Sequence, residues 1–443
     1  MPVTLFIKKF LFLIPLIALV LCEKTRFDNY VLYKVLVEND QHYRILVDLK
    51  NNNFKYDIWN DHISLGRYVD IMSSPEDKAE LEKLFQKYEL KYEIANENIQ
   101  EVIDKENAII KTYTRSNIRS MEWNAYYTLD HIYGWLDDVA AAYPNVASIV
   151  IAGKSYEGRD IKGLKISHGP GRRVIFIESG IHAREWISMT SACYVINELL
   201  ISNNTQAHAA AQDYDWYIFP VTNPDGYVYS HEQNRLWRKS RRPIGNNFGV
   251  DLNRNWNSNW LVVGASTNPQ SLTYAGPGPF SEPETRALSN FIRSIGDKID
   301  LYLSVHSFGQ YLLVPFGNST GAYANYYDAV NIGRRAMGAL AVRYGTLYQT
   351  GNIAEVLYLA TGGSDEWVKE HVRVPLVYCV ELRDRGLNGF LLPEDEILPN
   401  NQEYMDGVLE LIYQAERFGY MNSGSRIHIS MFILLITFFI SFL

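Results

Sequence analysis

His182 and Glu185 stand three residues apart in the stretch Val174 to Trp186, VIFIESGIHAREW. At that spacing an imidazole nitrogen and a carboxylate oxygen can converge on one cation, and both are good Zn²⁺ ligands. His306, in LYLSVHS, ends an apolar run. With His182 and Glu185 it makes a two-histidine, one-carboxylate set, which leaves a coordination position open for chemistry. Glu381 lies in YCVELRD, inside an otherwise apolar stretch. A carboxylate there needs a partner, and beside a polarised water it would serve as a general base. Arg235 and Arg238 occur in QNRLWRK, and Asp251-Leu252-Asn253-Arg254 follows. An Asn and Arg pair can hold a carboxylate through several donors, the Arg bidentately. Asp251 could orient a metal-bound imidazole from behind. Taken singly, each has a plainer account: loop polars for His182 and Glu185, a structural histidine for His306, surface cations for Lys239, Arg241 and Arg242. Taken together, the stretches favour a metal site.

The elements that must position these groups alternate from about residue 120 onward. Strands are expected at Ser148 to Ala152, Ile161 to Ser167, Val174 to Ile177, Trp216 to Val221, Leu301 to Val305 and Leu376 to Glu381. Helices are expected at Tyr126 to Tyr143, Ile187 to Ile201, Glu282 to Ile295, Tyr323 to Tyr344 and Gln402 to Phe418. Ser281 before Glu282-Pro283 is a start signal, and Gly345 a stop signal. The pattern predicts a mixed α/β sheet flanked by helices, with the site at the C-terminal ends of its strands.

The front of the chain reads differently, more charged and poorer in glycine. Strands at Val31 to Val37, Phe54 to Trp59, Gly66 to Met72 and Leu90 to Ile94 alternate with a helix from Asp40 to Leu49 and another after Ser74. Ser74 is the expected N-cap and Pro75 the first helical residue. The order βαββαβ predicts a ferredoxin-like α+β domain. No cluster of ligand-type residues occurs there. Asn107 to Ser120 reads as an exposed basic linker, cut by a trypsin-like protease after Arg115 or Arg119.

The chain has 443 residues and a net charge of −8, which argues against a nucleic-acid partner. Met1 to Cys22 has the order of a secretory signal peptide, with Lys8-Lys9 ahead of an apolar run. Cys193 and Cys379 then remain, expected as buried free thiols. Asn203 and Asn318 begin glycosylation sequons. The apolar run Met431 to Leu443 is shorter than the ~20 residues needed to span a bilayer. Small residues at Asn422-Ser423-Gly424, a spacer and that run resemble a signal for GPI attachment.

HAREW, NPDGY, QNRLWRK, DLNRNW, SVHS, YLATGGSDEW and VELRD, in this order, resemble the digestive-type zinc metallocarboxypeptidases. The resemblance covers nearly all of residues 120–420, and the front domain resembles their activation segment. It implies a monomeric zymogen that, once cut, removes one C-terminal residue from peptides. The domains would be a signal peptide at 1–22, an activation domain at 23–115, a catalytic domain with an eight-stranded mixed sheet at 116–420, and a tail at 421–443. His182, Glu185 and His306 would hold one Zn²⁺. Glu381 would activate water, and Arg238 would stabilise the oxyanion. Asn253, Arg254 and Tyr358 would grip the terminal carboxylate, with Arg184 and Arg235 at neighbouring subsites. Asp365 stands where a carboxylate resembles the B-type enzymes, which take Arg and Lys. Ile353 departs from the B-type pattern, which has glycine there. Asn247 and Gln270 stand where the family's disulfide is expected, and Phe308 replaces a common Tyr.

Overall fold

A computed structural model of the protein describes residues 24–60, 63–113, 121–318, 323–357 and 359–422. The expected signal peptide, the cleavage positions Arg115 and Arg119, Tyr358 and the apolar tail lie outside the described residues.

The front domain follows the expected order: β1 (Val31–Leu36), α1 (Asp40–Asn52), β2 (Asp57–Ile58), β3 (Tyr68–Ser73), α2 (Lys78–Lys87) and β4 (Tyr92–Asn96). Its antiparallel sheet runs β2-β3-β1-β4, the ferredoxin-like arrangement. Tyr33 and Val35 of β1, Leu46 and Leu49 of α1, and Leu81 and Phe85 of α2 bury one shared apolar face. Ser74 does not cap α2. Its hydroxyl accepts from the Asp77 N–H in a turn ahead of the helix, so Pro75 precedes the helix and α2 begins at Lys78. The strand expected from Phe54 to Trp59 is confined to Asp57–Ile58.

A helix was not foreseen after β4. α3 (Ile99–Tyr113) runs through the first part of the stretch expected as linker. Ile99 and Ile103, one turn apart, bury against Phe27, Leu32, Trp59 and Met72 and against Leu236, Phe390 and Leu391 of the main domain. One apolar cluster therefore spans both domains and seats the front domain on the rest.

The main domain holds β5 (Ala147–Lys154), β6 (Asp160–Ile166), β7 (Val174–Ser179), β8 (Asp215–Phe219), a small hairpin of β9 (Pro243–Ile244) and β10 (Asn247–Phe248), then β11 (Ile299–Ser307), β12 (Tyr311–Val314), β13 (Gln349–Asn352) and β14 (Leu376–Leu382). The eight-stranded sheet has the order β13-β12-β14-β11-β7-β8-β6-β5. β14, β11, β7 and β8 are mutually parallel, and the outer strands add antiparallel pairs. Every residue of β7 and β11 is buried, as parallel strands covered on both faces must be.

Helices α4 (Leu129–Ala142), α5 (Trp186–Leu200), α6 (Thr205–Asp213), α9 (Tyr326–Tyr344) and α12 (Glu394–Arg417) share the large core on one face. On the other face α8 (Pro283–Ile295) packs with Phe176, Trp256 and Trp367. α7 (Pro224–Glu232), α10 (Ile353–Val356) and α11 (Ser364–Trp367) are short connectors around the site. α9 stops where expected, at Gly345 in the left-handed conformation. α12 begins earlier than expected and accommodates Pro399. Cys193 and Cys379 are buried free thiols. Among the described residues no helix is long and apolar enough to cross a membrane.

Candidate active site

β7 ends at Ser179, and the chain must turn at once to reach α5. Gly180 makes that turn with φ +66°, and a Cβ there would lie 2.8 Å from the Pro220 carbonyl oxygen. The turn delivers His182 and Glu185 to the C-terminal edge of the sheet, with Glu185 immediately ahead of α5. β11, next to β7, brings His306 to the same edge. His182 Nδ1 lies 2.7 Å from Glu185 Oε1, His306 Nδ1 lies 3.1 Å from Glu185 Oε2, and the two Nδ1 atoms are 3.2 Å apart. All three side chains are buried, and one ligand atom from each lies within 4.8 Å of the others. Two imidazoles and a carboxylate converging so closely are a donor set that could hold a zinc ion. Burial favours the protonated Glu185 carboxyl, but His182 and His306 outweigh it and hold the group at about 2. The carboxylate is thus the charged form that a cation needs.

The imidazoles are held from behind. His182 Nε2 lies 3.1 Å from Asp251 Oδ1, and the same oxygen accepts from the Asn253 N–H at 2.9 Å. Asp251 Oδ2 accepts from Arg238 Nη2 at 3.1 Å. One buried carboxylate therefore orients a ligand, an arginine and the turn that carries Asn253. Burial pushes the Asp251 carboxyl up, yet Arg238 and His182 bring it well below the ordinary range. His306 Nε2 lies 3.0 Å from Ser304 Oγ, which donates to Glu178 Oε1 at 2.8 Å. Ser364 also donates to Glu178. The sequence reading missed Ser304, Ser364 and Glu178. A glutamate at the end of VIFIE was the available signal, since a buried carboxylate demands donors.

Glu381 reaches the edge on β14, next to β11 on the side away from β7. It lines two cavities. One, of about 360 Å³, lies between the domains and is walled by Lys34, Trp59, Glu185, Arg238 and Phe308. The other, of about 50 Å³, is lined by His182, His306, Asn253, Arg254, Ile353, Asp365 and Glu366 as well as Glu381. Asn253 Oδ1 accepts from the Ser364 N–H, and Arg254 donates to the carbonyls of Gly264 and Asn253. Gly362 (φ +85°) packs against Arg254, so closely that a Cβ would lie 2.6 Å from its carbonyl oxygen. Asp365 is 4 % exposed and its Oδ2 has no hydrogen-bond partner. It lies in the first turn of α11, turned away from solvent.

Arg184 and Arg235 are occupied by the front domain. Arg184 Nη1 donates to Asp57 at 3.0 Å, and its guanidinium stacks 4.0 Å over Phe390. Arg235 forks onto Glu106 of α3 at 2.5 and 3.0 Å and lies 3.6 Å over the Trp186 ring. Lys34 bridges Asp70 and the Gly386 carbonyl, at 2.7 and 2.8 Å.

Residues 132–407 match the family model for zinc carboxypeptidase, and residues 33–106 match that for carboxypeptidase activation peptide. The chain belongs to the zinc carboxypeptidase family. Over 414 residues it is 38 % identical to zinc carboxypeptidase A 1 of Drosophila melanogaster, covering 91 % of this chain and 96 % of the relative. It is 41 % identical to carboxypeptidase B of Astacus astacus over 292 residues, covering 65 % of this chain and 96 % of the relative. The crystal structure of carboxypeptidase A from Helicoverpa armigera superposes with a TM-score of 0.80 at 30 % identity, covering 88 % of this chain and 98 % of that one.

The protein is thus a zinc-dependent peptide exopeptidase with an activation peptide ahead of its catalytic domain. In this carboxypeptidase Asn247 sits in the β9–β10 hairpin, and Gln270 lies on a separate loop lining the cleft beside the front domain. Phe308 stacks edge-on against Phe390 at 4.9 Å, under Trp59 of the front domain.

Proposed function

We propose that the enzyme removes C-terminal Arg and Lys. The observation that carries this is Asp365: a buried carboxylate, with one oxygen lacking a partner, on the wall of the cavity that His182 and His306 also line. Burying a carboxylate without a partner costs on the order of several kcal/mol. A substrate cation supplies the partner, and an apolar side chain does not. Arg, with its planar fork, should exceed Lys. Ile353 lines the same cavity and favours a second reading, preference for apolar side chains.

In this reading His182, Glu185 and His306 would hold the zinc. Bound there, zinc supplies Lewis acidity toward the scissile carbonyl and the attacking water. Glu381 takes a proton from that water as its oxygen adds to the carbonyl carbon. It returns the proton to the amine nitrogen as the C–N bond breaks. Arg238, held by Asp251, donates to the oxygen that gains charge. Asn253, Arg254 and Tyr358 hold the terminal carboxylate. Arg184 and Arg235 line neighbouring subsites once the front domain has left.

The same reading has residues 1–22 direct secretion, a trypsin-like cut after Arg115 or Arg119 remove the 23–115 segment, and a lipid replace the 421–443 tail on a monomeric enzyme. Release from cells by phosphatidylinositol-specific phospholipase C tests the anchor; no release contradicts it. Blocked dipeptides ending in Arg, Lys, Phe, Leu and Glu test specificity. Arg should be released fastest, and Asp365→Lys should lower kcat/KM for Arg-ending and raise it for Glu-ending substrates. Faster release of Phe than of Arg by the unaltered enzyme would overturn the basic preference.

A further inference from the structure

The cavity of about 50 Å³ beside His306 is lined by two acidic side chains next to each other in the chain, Asp365 and Glu366, not one. Glu366 follows Asp365 on α11, is 2 % exposed, and lines the same space. Its Oε1 accepts from the Gly317 N–H at 2.6 Å, which fixes the side chain, while its Oε2 is buried without a hydrogen-bond partner. Asp365 Oδ2 is in the same condition. Among the described residues no lysine or arginine forms an ion pair with either group. Two buried carboxylates that each keep an unanswered oxygen are a costly arrangement in a folded core. Burial, and after it the neighbouring Asp365, push the Glu366 carboxyl up to about 8, so the empty pocket holds it largely protonated at neutral pH, and a cation entering beside it would favour loss of that proton.

The surroundings keep the space clear. Gly317 forms one wall, and a Cβ there would lie 2.5 Å from the Ala360 carbonyl oxygen, 3.1 Å from Glu366 Oε1 and 3.2 Å from Ile353 Cγ2. Cys379 of β14 lines the cavity, and burial keeps its thiol protonated, so it brings no charge. A cavity of about 50 Å³ has room for roughly four water-sized groups. A guanidinium is four heavy atoms in a plane, with five N–H donors pointing in several directions.

We propose that Glu366 is a second anionic contact for the departing side chain, so that a guanidinium binds between Asp365 and Glu366. This rests on the basic preference proposed above and adds to it a reason for ranking Arg over Lys. A single carboxylate satisfies one edge of a guanidinium. Two carboxylates at different positions satisfy two edges, whereas an ammonium is one point of charge and can sit close to only one of them at full strength.

The test uses the activated enzyme with Asp365→Asn and Glu366→Gln made separately, on substrates ending in Arg, Lys and Phe. Gln at 366 retains an oxygen for the Gly317 N–H, and an unchanged melting temperature checks that the pocket still folds. Glu366→Gln is expected to lower kcat/KM about tenfold for Arg and about threefold for Lys, through KM, and to leave Phe within about twofold. The Arg-to-Lys ratio then falls while the overall basic preference survives. If the unaltered enzyme prefers Phe, the underlying reading fails and this one with it. If the unaltered enzyme prefers Arg, Asp365→Asn abolishes that preference, and Glu366→Gln leaves both the Arg-to-Phe and Arg-to-Lys ratios unchanged, the role of Glu366 alone is overturned.

Discussion

Glu381 lies directly opposite His306 in the parallel pairing of β11 with β14. A glutamate and a candidate metal ligand are thereby fixed at neighbouring positions by backbone hydrogen bonds, not by a flexible loop. The pairing gives the Glu381 carboxylate a rigid seat next to the candidate ligand set while leaving it on the wall of both cavities.

That placement separates binding of metal from turnover. Glu381→Gln should keep its zinc and lose about 10²- to 10⁴-fold in kcat, the range for removing a general base. Zinc content by elemental analysis alongside steady-state kinetics checks it. A variant with unaltered kcat would remove Glu381 from the mechanism.

Asp251 ties His182, Arg238 and the Asn253 turn together, so its loss should be felt in all three. Asp251→Asn is expected to weaken zinc by about 10- to 100-fold, as loss of a residue behind a ligand does. Competition with a chromophoric chelator measures it. Affinity within twofold of the unaltered protein would show that His182 needs no such support.

Besides the shared apolar cluster, buried ion pairs hold the front domain on, among them Arg235 with Glu106. Removing one partner of a buried pair costs about 3–5 kcal/mol. Glu106→Ala should therefore lower the melting temperature of the uncut protein and hasten its activation by trypsin. The cut product lacks residue 106 and should be indistinguishable from that of the unaltered protein. N-terminal sequencing should place the first cut after Arg115 or Arg119. A first cut within 150–400, or an unchanged melting temperature, would contradict this account of the interface.

Much of this architecture was legible because it is local. VIFIES is a run that only a fully covered strand tolerates, and the groups that follow it announce themselves by spacing. The ligand triad, Glu381 and the ferredoxin-like order could be read in that way. β13 could not, since Gln349-Thr350-Gly351-Asn352 has no apolar pattern and is a strand only because β12 lies beside it. α3 could have been read, because Ile99, Ile103 and Ile110 repeat at helical spacing, but the linker expected from Asn107 onward covers its second half and its first half was given no element. The pairs Arg184–Asp57 and Arg235–Glu106 join residues more than a hundred positions apart, and no local pattern encodes them. The orphan oxygens of Asp365 and Glu366 are likewise visible only once the surrounding donors have been placed in space.

The most direct measurement follows single-residue release from a peptide by the trypsin-cut protein, before and after its zinc is removed with dipicolinate. The account predicts that one C-terminal residue is released, that activity disappears with the metal and returns with one equivalent of Zn²⁺, and that Glu185→Ala neither binds the metal nor recovers. Peptide hydrolysis that persists in the metal-free protein, or in Glu185→Ala, would contradict it.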